Sequence, residues 1–276
     1  MQEQPLSVSL VVFRTPVSEL QSLFNTLSEV TDPALVCVVD NSGDSDLAEA
    51  VKQAGFVYRR PSKNKGFGAG HNLAIFSLPA SELGFHLILN PDISFQPEAL
   101  SHIKFFMSNH PDVVIAVPKI QYPNGEMQYL CKLFPTPIDL VVRRFLPDSW
   151  GKQSFQKTYE LRGWTFDQVA DIPTLSGCFM LIKASALRAV GGFDERFFLY
   201  LEDFDLCRRI GKLGRTVFIP EVFVIHHYAK GSYHQWKLLV HHCLSAIRYF
   251  GKWGWWVDKE RKLKNQLCLK TLGLEK

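Results

Sequence analysis

Short apolar runs alternate with segments of helical spacing along the first third of the chain. The runs are SVSLVVF (7–13), ALVCVVD (34–40), GFVYRR (55–60) and FHLIL (85–89). Between them, residues 17–28, 47–55 and 71–78 repeat apolar residues at helical intervals. Strands that are apolar on both faces and separated by helices are typical of a parallel sheet covered on both sides. The sequence therefore predicts an α/β fold with a mostly parallel, Rossmann-like sheet flanked by helices.

The regular alternation ends after a strand predicted at 113–118. Residues 119–170 have no clean period and predict short strands and loops. Further along, the spacing predicts a strand at 176–183, helices at 184–190 and about 202–213, strands near 216–218 and 222–226, and a helical tail from 234 to about 267. One large domain followed by a helical tail is the simplest interpretation.

Charge is concentrated at the C-terminal end. The net charge is +4, yet residues 230–276 hold ten Lys or Arg against three acids. Residues 234–266 interleave these cations with four tryptophans. Such helices suit the headgroup region of an anionic bilayer, or they pack on the domain or in a dimer interface. No nucleic-acid motif accompanies the basic residues, so no nucleic-acid partner is expected.

Cysteine spacing and the length of the apolar runs indicate in which cellular compartment the protein is expected. The six cysteines are widely separated, which predicts reduced thiols in a reducing compartment. The N-terminal residues lack the basic segment of a signal peptide, and no stretch of 18 apolar residues occurs. We expect a cytoplasmic protein.

Polar residues follow each strand of the predicted sheet. They are Thr15, Asp40, the segment from Lys63 to Asn72, and the turn Asn90-Pro91-Asp92. Each could be an ordinary turn residue. In an open parallel sheet, however, ligands bind at the carboxyl ends of the strands. The segment around Gly66 is not a dinucleotide fingerprint or a P-loop, but its flexible backbone before a helix suits a phosphate or nucleotide.

Asp92 is the best candidate for a metal ligand in this half of the chain. A hard cation such as Mg²⁺ prefers carboxylate and phosphate oxygens. An imidazole from His226 or His227, which end the strand VFVIHH, could complete the site. Both histidines could equally be structural residues at a strand end.

The first turn of the helix predicted to begin near Glu202 contains three acids, Glu202, Asp203 and Asp205. Glu202 and Asp203 could complement the helix dipole, as acids in a first turn often do. Asp203 lies four residues before Cys207, on the core-facing stripe that Leu206, Ile210 and Leu213 continue, whereas Asp205 is expected on the wetter side. Because a core-facing carboxylate is costly without a polar environment, we expect a cavity there, with Asp203 as a general base.

In this order, the motifs resemble those of inverting glycosyltransferases of family 2, which have the GT-A fold, and most closely the bacterial rhamnosyltransferase-like branch. The resemblance covers residues 6–230. The matching stretches are VVDNSG (38–43), NKGFGAGHN (64–72), LNPDI (89–93), SGCFMLIK (176–183) and GGFDERFFLYLEDFDLCRRI (191–210), followed by the His pair.

The resemblance implies roles for the matched residues. The nucleotide would be held by Thr15, Asp40, Asn90 and the loop from Asn64 through Lys65 and Gly66 to Asn72, with Asp40 near the base. The turn Asn90-Pro91-Asp92 stands in place of the family's D-x-D motif, so a divalent cation (Mg²⁺ or Mn²⁺) is expected on the donor diphosphate. Asp203, with Glu202, matches the E-D motif that supplies the base. His226 or His227 matches a histidine that can reach the metal.

The implied function is inverting transfer of L-rhamnose from dTDP-rhamnose to a cell-surface glycan or polyprenyl-linked acceptor. Alternatives are a UDP-hexose or galactofuranose transferase, or a non-catalytic glycan-binding module on this fold. The implied domains are a catalytic domain over 1–230, whose nucleotide-binding half covers about 1–118 and acceptor half about 119–230, and a basic aromatic tail over 231–276. An oligomer is compatible with the sequence, and so is peripheral attachment to the inner face of the plasma membrane through 234–266.

Overall fold

The computed structural model describes residues 4–43, 45–79, 83–145, 157–227 and 236–275. The first half contains β1 (Leu6–Val12), α1 (Val17–Val30), β2 (Val36–Asp40), α2 (Ser45–Gln53), β3 (Val57–Arg59), α3 (Phe67–Ser77), β4 (Phe85–Leu89), β5 (Ile93–Ser94), α4 (Pro97–Asn109) and β6 (Val113–Gln121). The second half contains α5 (Pro137–Phe145), β7 (Ala170–Asp171), β8 (Phe179–Lys183), α6 (Ala184–Ala189), α7 (Glu202–Ile210), β9 (Arg215–His226), α8 (Trp236–Trp253) and α9 (Lys259–Thr271).

The described residues form one sheet of nine strands, in the order β3-β2-β1-β4-β8-β6-β9-β5, with β7 beside β9. Strands β3, β2, β1 and β4 are parallel, as are β6 and β9. One apolar layer packs α1, α2 and α4 on the sheet, through residues such as Leu20, Leu47 and Ile103. The other layer packs the opposite side, with Leu187 of α6 and Leu206 of α7. The predicted α/β sheet with helices on both sides is confirmed.

The structure adds the direction of one strand and contradicts two local expectations. Strand β8 lies between β4 and β6 and is antiparallel to both, which apolar content alone does not reveal. The two strands expected near 216–218 and 222–226 form one strand, β9, whose pairing with β6 shifts register at Pro118. The helix expected over 202–213 ends at Ile210, so Leu213 lies beyond it and is exposed.

The predicted helical tail consists of two helices, α8 and α9. Gly254 has a φ of 103°, which favours glycine and ends α8, and Asp258 then caps α9 by accepting the N–H of Arg261. Both helices contribute to the core shared with α7, through Tyr249 and Phe250 of α8 and Cys268 of α9. Within the described ranges, no helix is long and apolar enough to cross a membrane. The boundary predicted at 230/231 falls outside the described residues and stays a prediction.

Candidate active site

An open cleft of about 500 Å³ lies where β1 and β2 end. Its lining residues are Arg14, Thr15, Pro16, Ser42 and Gly43. Asp40 is buried behind them. Its Oδ1 accepts the N–H groups of Ser42 and Gly43 at 2.8 and 2.9 Å, and its Oδ2 accepts the hydroxyl of Tyr58 at 2.8 Å. Burial tends to raise the pKa of Asp40, but these hydrogen bonds lower it overall. The carboxylate therefore fixes the turn that forms one wall of the cleft.

The loop before α3 joins this cleft to the second half of the chain. Oδ1 of Asn64 accepts the N–H of Gly66 at 2.8 Å, while Lys65 is exposed. Gly66 has a φ of 101°, and a Cβ there would collide with the carbonyl of Phe198. The N–H of Phe67 donates to that same carbonyl at 2.9 Å. Only glycine allows this contact.

Asn72 makes a second connection between the two halves and is buried. Its Nδ2 donates to the carbonyl of Phe193 at 2.9 Å, and its Oδ1 accepts the N–H of Phe193 at 2.8 Å. Nδ2 also lies 3.2 Å from Oε1 of Glu195. The side chain is thus directed at residues 193–195, and the structure does not bring it to the cleft lined by Thr15.

Asp92 and His226 meet at the end of the sheet. Oδ1 of Asp92 lies 3.3 Å from Nε2 of His226, whose Nδ1 pairs with Oε1 of Gln128 at 2.9 Å. Burial tends to raise the pKa of Asp92, but contact with His226 lowers it overall. His227 is exposed, with Nε2 3.0 Å from the hydroxyl of Ser94, and only its backbone N–H reaches the carbonyl of Asp92. The structure therefore brings His226 to Asp92 and directs the His227 side chain elsewhere.

This pair could bind a divalent cation whose remaining ligands were supplied by a bound diphosphate. No group of three or more His, Cys, Asp or Glu among the described residues could hold a metal ion alone. A carboxylate and an imidazole are suitable ligands, and phosphate oxygens commonly supply the rest for Mg²⁺ or Mn²⁺. Asn90 lies beside the pair. Its N–H donates to the carbonyl of Cys178 at 2.8 Å, and its side-chain Oδ1 is buried.

Residues Gly177 and Cys178 bring Asp92 and Asp203 to one place. The N–H of Gly177 donates to Oδ2 of Asp203 at 3.3 Å, while Cys178 holds the turn that carries Asp92. Burial raises the pKa of the Cys178 thiol to about 12, and the charges of Asp92 and Asp203 both add to this effect. The two carboxylates therefore flank the same short segment.

A strained turn presents Glu202 and Asp203. Tyr200 and Leu201, which precede α7, have φ values of 72° and 64°. Such left-handed conformations cost roughly 1–3 kcal/mol for residues other than glycine, and they persist where the surroundings enforce them, often at functional sites. The turn places Asp203, which is half-buried, in the first turn of α7.

The two acids of this turn differ in their environment. Burial raises the pKa of Asp203, an effect that the N–H of Gly177 and the charge of Lys132 partly oppose. Burial also raises the pKa of Glu202 well above its usual range, with a contribution from Asp203. Within the described part of the chain, Oε2 of Glu202 is buried without a hydrogen-bond partner. The arrangement favours an uncharged Glu202 beside an Asp203 that can exchange a proton.

The expectation that Asp205 lies on the wetter side of α7 is wrong. Its side chain is fully buried, with Oδ2 2.7 Å from Nε of Arg209. Oδ1 lies 2.7 Å from Nζ of Lys252 and accepts the indole N–H of Trp253 at 2.9 Å. The spacing within α7 gave no sign of α8, which covers this side.

Comparison with known proteins places the chain among sugar-transferring enzymes. It is 29% identical to the N-acetylglucosaminyl-diphospho-decaprenol L-rhamnosyltransferase of Mycobacterium tuberculosis, over 95% of this chain and 90% of that protein. It is also 29% identical to the rhamnosyltransferase WbbL of Escherichia coli, over 68% of this chain and 70% of WbbL. The crystal structure of GalNAc-T7 with UDP, GalNAc and Mn²⁺ superposes with a TM-score of 0.66 at 15% identity, covering 95% of this chain and 49% of that one. No family model matches the chain.

The sheet, the cleft at its strand ends and these similarities define a glycosyltransferase of the GT-A fold. The relatives at 29% identity are bacterial rhamnosyltransferases. The resemblance seen in the sequence motifs, to GT-A enzymes of the rhamnosyltransferase branch, is thereby confirmed.

Proposed function

We propose that this glycosyltransferase moves L-rhamnose from dTDP-rhamnose, with inversion, to a hydroxyl of a polyprenyl-diphosphate-linked N-acetylglucosamine. The observation that carries the proposal is that Asp92 and Asp203 both lie against the short segment Gly177–Cys178. Similarity to rhamnosyltransferases, one of them named for a lipid-linked acceptor, supports the choice of sugar and acceptor.

The reaction is a single displacement at the anomeric carbon. The acceptor oxygen forms the new bond to that carbon while the bond to the donor phosphate oxygen breaks, and Asp203 takes the acceptor proton. Hydrogen bonds from the N–H groups of Gly177 and Phe204, at 3.3 and 2.9 Å, orient the Asp203 carboxylate. No second catalytic carboxylate is needed, in contrast to a glycosidase. Glu202 in its uncharged form limits repulsion at the ionised base.

The donor would lie in the cleft lined by Thr15, Ser42 and Gly43, and the turn held by Asp40 would face the nucleotide base. Lys65, exposed on the loop before α3, is free to approach the phosphates, and the N-terminal end of α3 suits an anion. Asp92 and His226 would hold a divalent cation, which when bound supplies positive charge to the departing diphosphate. Asn90 supports the Asp92 turn.

A thermal-shift panel of nucleotides and sugar nucleotides, with and without Mg²⁺ or Mn²⁺, tests the donor. We expect dTDP and dTDP-rhamnose, with a metal ion, to raise the melting temperature most. A transfer assay then uses the preferred donor and a short-chain polyprenyl diphosphate carrying N-acetylglucosamine. Stabilisation by UDP-sugars alone would favour the UDP-hexose or galactofuranose alternative. Binding without any release of nucleotide diphosphate would favour a non-catalytic module.

A lipid-linked acceptor requires contact with a membrane surface, and α8 offers a suitable face. Its outer side carries an apolar stripe of Trp236, Val240, Leu244 and Ile247, of which Trp236 is 71% and Ile247 55% exposed. Lys237 and Arg248 lie on the same exposed side, and α8 contains no acidic residue. Apolar residues bordered by cations complement an anionic bilayer. We propose that this stripe lies on such a bilayer.

Vesicle co-sedimentation tests the membrane contact. The full chain is expected to bind phosphatidylcholine vesicles that contain phosphatidylglycerol, and to bind pure phosphatidylcholine vesicles much less. The double variant Leu244→Glu/Ile247→Glu should lose the binding, whereas Phe105→Glu, at an exposed apolar position on α4, should keep it. Equal binding by both variants would reject the stripe as the contact.

A further inference from the structure

Two acids, Asp194 before α7 and Asp205 in the first turn of α7, both contact a single lysine of α8. Nζ of Lys252 lies 2.8 Å from Oδ2 of Asp194 and 2.7 Å from Oδ1 of Asp205. Residues 194–205 run from Asp194 into the first turn of α7 and carry Glu202 and Asp203. This segment is here named the carboxylate loop. We propose that Lys252 is a positioning residue: by bridging the two ends of the carboxylate loop, it holds Asp203 in the orientation needed for transfer.

Other contacts from α8 reach the middle of the carboxylate loop. The hydroxyl of Ser245 donates to the carbonyl of Leu199 at 2.8 Å. The ring of His241 stacks on Phe198 with centroids 4.3 Å apart, and His242 meets the ring of Tyr200 edge-on at 5.4 Å. One helix therefore contacts the loop at both ends and along its length.

The carboxylate loop needs such support because its backbone is strained at Tyr200 and Leu201. It also connects the base to the donor side, since the carbonyl of Phe198 accepts the N–H of Phe67. A small displacement of the loop would move Asp203 relative to a donor held by the other half of the chain. Displacements of this kind reduce rates strongly without abolishing binding.

The lysine can be removed without leaving either acid unpaired. Asp194 keeps its ion pair with Arg196 at 2.6 Å. Asp205 keeps Arg209 at 2.7 Å and the indole of Trp253 at 2.9 Å. We therefore expect Lys252→Met to fold and to lose only the connection between the two ends.

The test combines hydrogen exchange with kinetics on the full chain. Lys252→Met should raise amide exchange in peptides covering 194–205 while leaving the sheet unchanged. With the donor found in the thermal-shift panel, kcat should fall by about 10- to 100-fold while KM for the donor changes by less than about threefold. Lys252→Arg, which keeps the charge, should recover most of the rate. Lys270→Met, at an exposed position on α9, serves as the matched control and should behave as wild type.

Asp194→Asn weakens the bridge from its other partner and should raise exchange in the same peptides. Unchanged exchange in both variants, or a kcat of Lys252→Met within about twofold of wild type, would overturn the proposal. The kinetic part rests on the proposed function. If the wild-type protein transferred no sugar from any donor, the proposed function would fail, while the exchange experiment would still decide whether Lys252 holds the loop.

Discussion

Oδ1 of Asp92 lies 3.3 Å from Nε2 of His226, although one residue follows β4 and the other ends β9. The pairing of β5 with β9, in which Ile93 is opposite His226, produces this approach. At this junction the side chain of His226 contacts Asp92, whereas that of His227 contacts Ser94. The site thus depends on the long-range pairing of two short sheet segments.

Removing either member of this pair should abolish metal-dependent donor binding. Asp92→Asn and His226→Ala are each expected to lose the additional thermal stabilisation that Mn²⁺ gives in the presence of dTDP. Each variant keeps one of the two protein ligands, which is too few to hold the cation. His227→Ala is the matched control and should keep it. An unchanged response to Mn²⁺ in Asp92→Asn would contradict the assignment of the cation site.

Lys132 is a buried cation that no sequence motif marks, and its charge partly opposes the burial that raises the pKa of Asp203. Without that charge, the protonated form of Asp203 gains stability, so its pKa rises. The acidic limb of kcat/KM against pH should therefore move to higher pH in Lys132→Met. A pH–rate profile measures this shift, and Lys52→Met, at an exposed position on α2, controls for the loss of a charge. A shift to lower pH would exclude the proposed effect.

Glu202 is expected to reduce stability as the pH rises. The pKa of Glu202 in the folded state lies above its ordinary value, so the protonated acid favours the folded state. This contribution to the free energy of unfolding is complete below the pKa of the unfolded chain and is lost as the pH rises through the folded-state pKa. Glu202→Gln does not titrate. Its free energy of unfolding should match wild type near pH 4 and exceed it increasingly at higher pH. Urea denaturation at several pH values measures this, with Glu126→Gln on an exposed turn as the control; a constant difference would argue against burial of the acid.

Arg208 joins α7 to the tail through a buried ion pair. Its Nη2 lies 2.6 Å from Oδ1 of Asp258, and the two side chains are only 2% and 3% exposed. Arg208→Ala would leave Asp258 buried with weaker compensation, at a cost of about 3–5 kcal/mol in the free energy of unfolding. Arg215→Ala removes two ion pairs, with Asp112 and Asp171, whose side chains are all 41% to 57% exposed, and it should cost much less. Equal losses in chemical denaturation would show that the tail is not held in this way.

The sequence was informative where local pattern determines structure. The apolar run at 85–89 became β4 with those bounds, and Thr15, Asp40 and Asp92 followed strands at one end of the sheet. Hydrophobic periodicity specifies such elements because each buries its own residues. The polar residues between them then mark the ligand edge of a parallel sheet.

What the sequence did not reveal depends on partners distant in the chain. Asp205 was misjudged because the spacing of α7 alone contains no trace of Lys252 and Trp253. Asn72 belongs to the loop expected to hold the nucleotide, but its side-chain amide forms two hydrogen bonds with the backbone of Phe193. Lys132 lies in a region without periodicity, and only the fold brings its charge to Asp203. That His226 and not His227 reaches Asp92 depends on the pairing of β5 with β9, which local pattern does not contain.

The central claim is that Asp203 accepts the acceptor proton. Its most direct test is Asp203→Asn, measured by transfer to the polyprenyl-linked acceptor and by calorimetric binding of the donor nucleotide. We predict that transfer falls at least about a thousandfold, since an amide cannot act as the base, while nucleotide affinity stays within about threefold of wild type. Turnover near the wild-type rate, with binding intact, would contradict the mechanism.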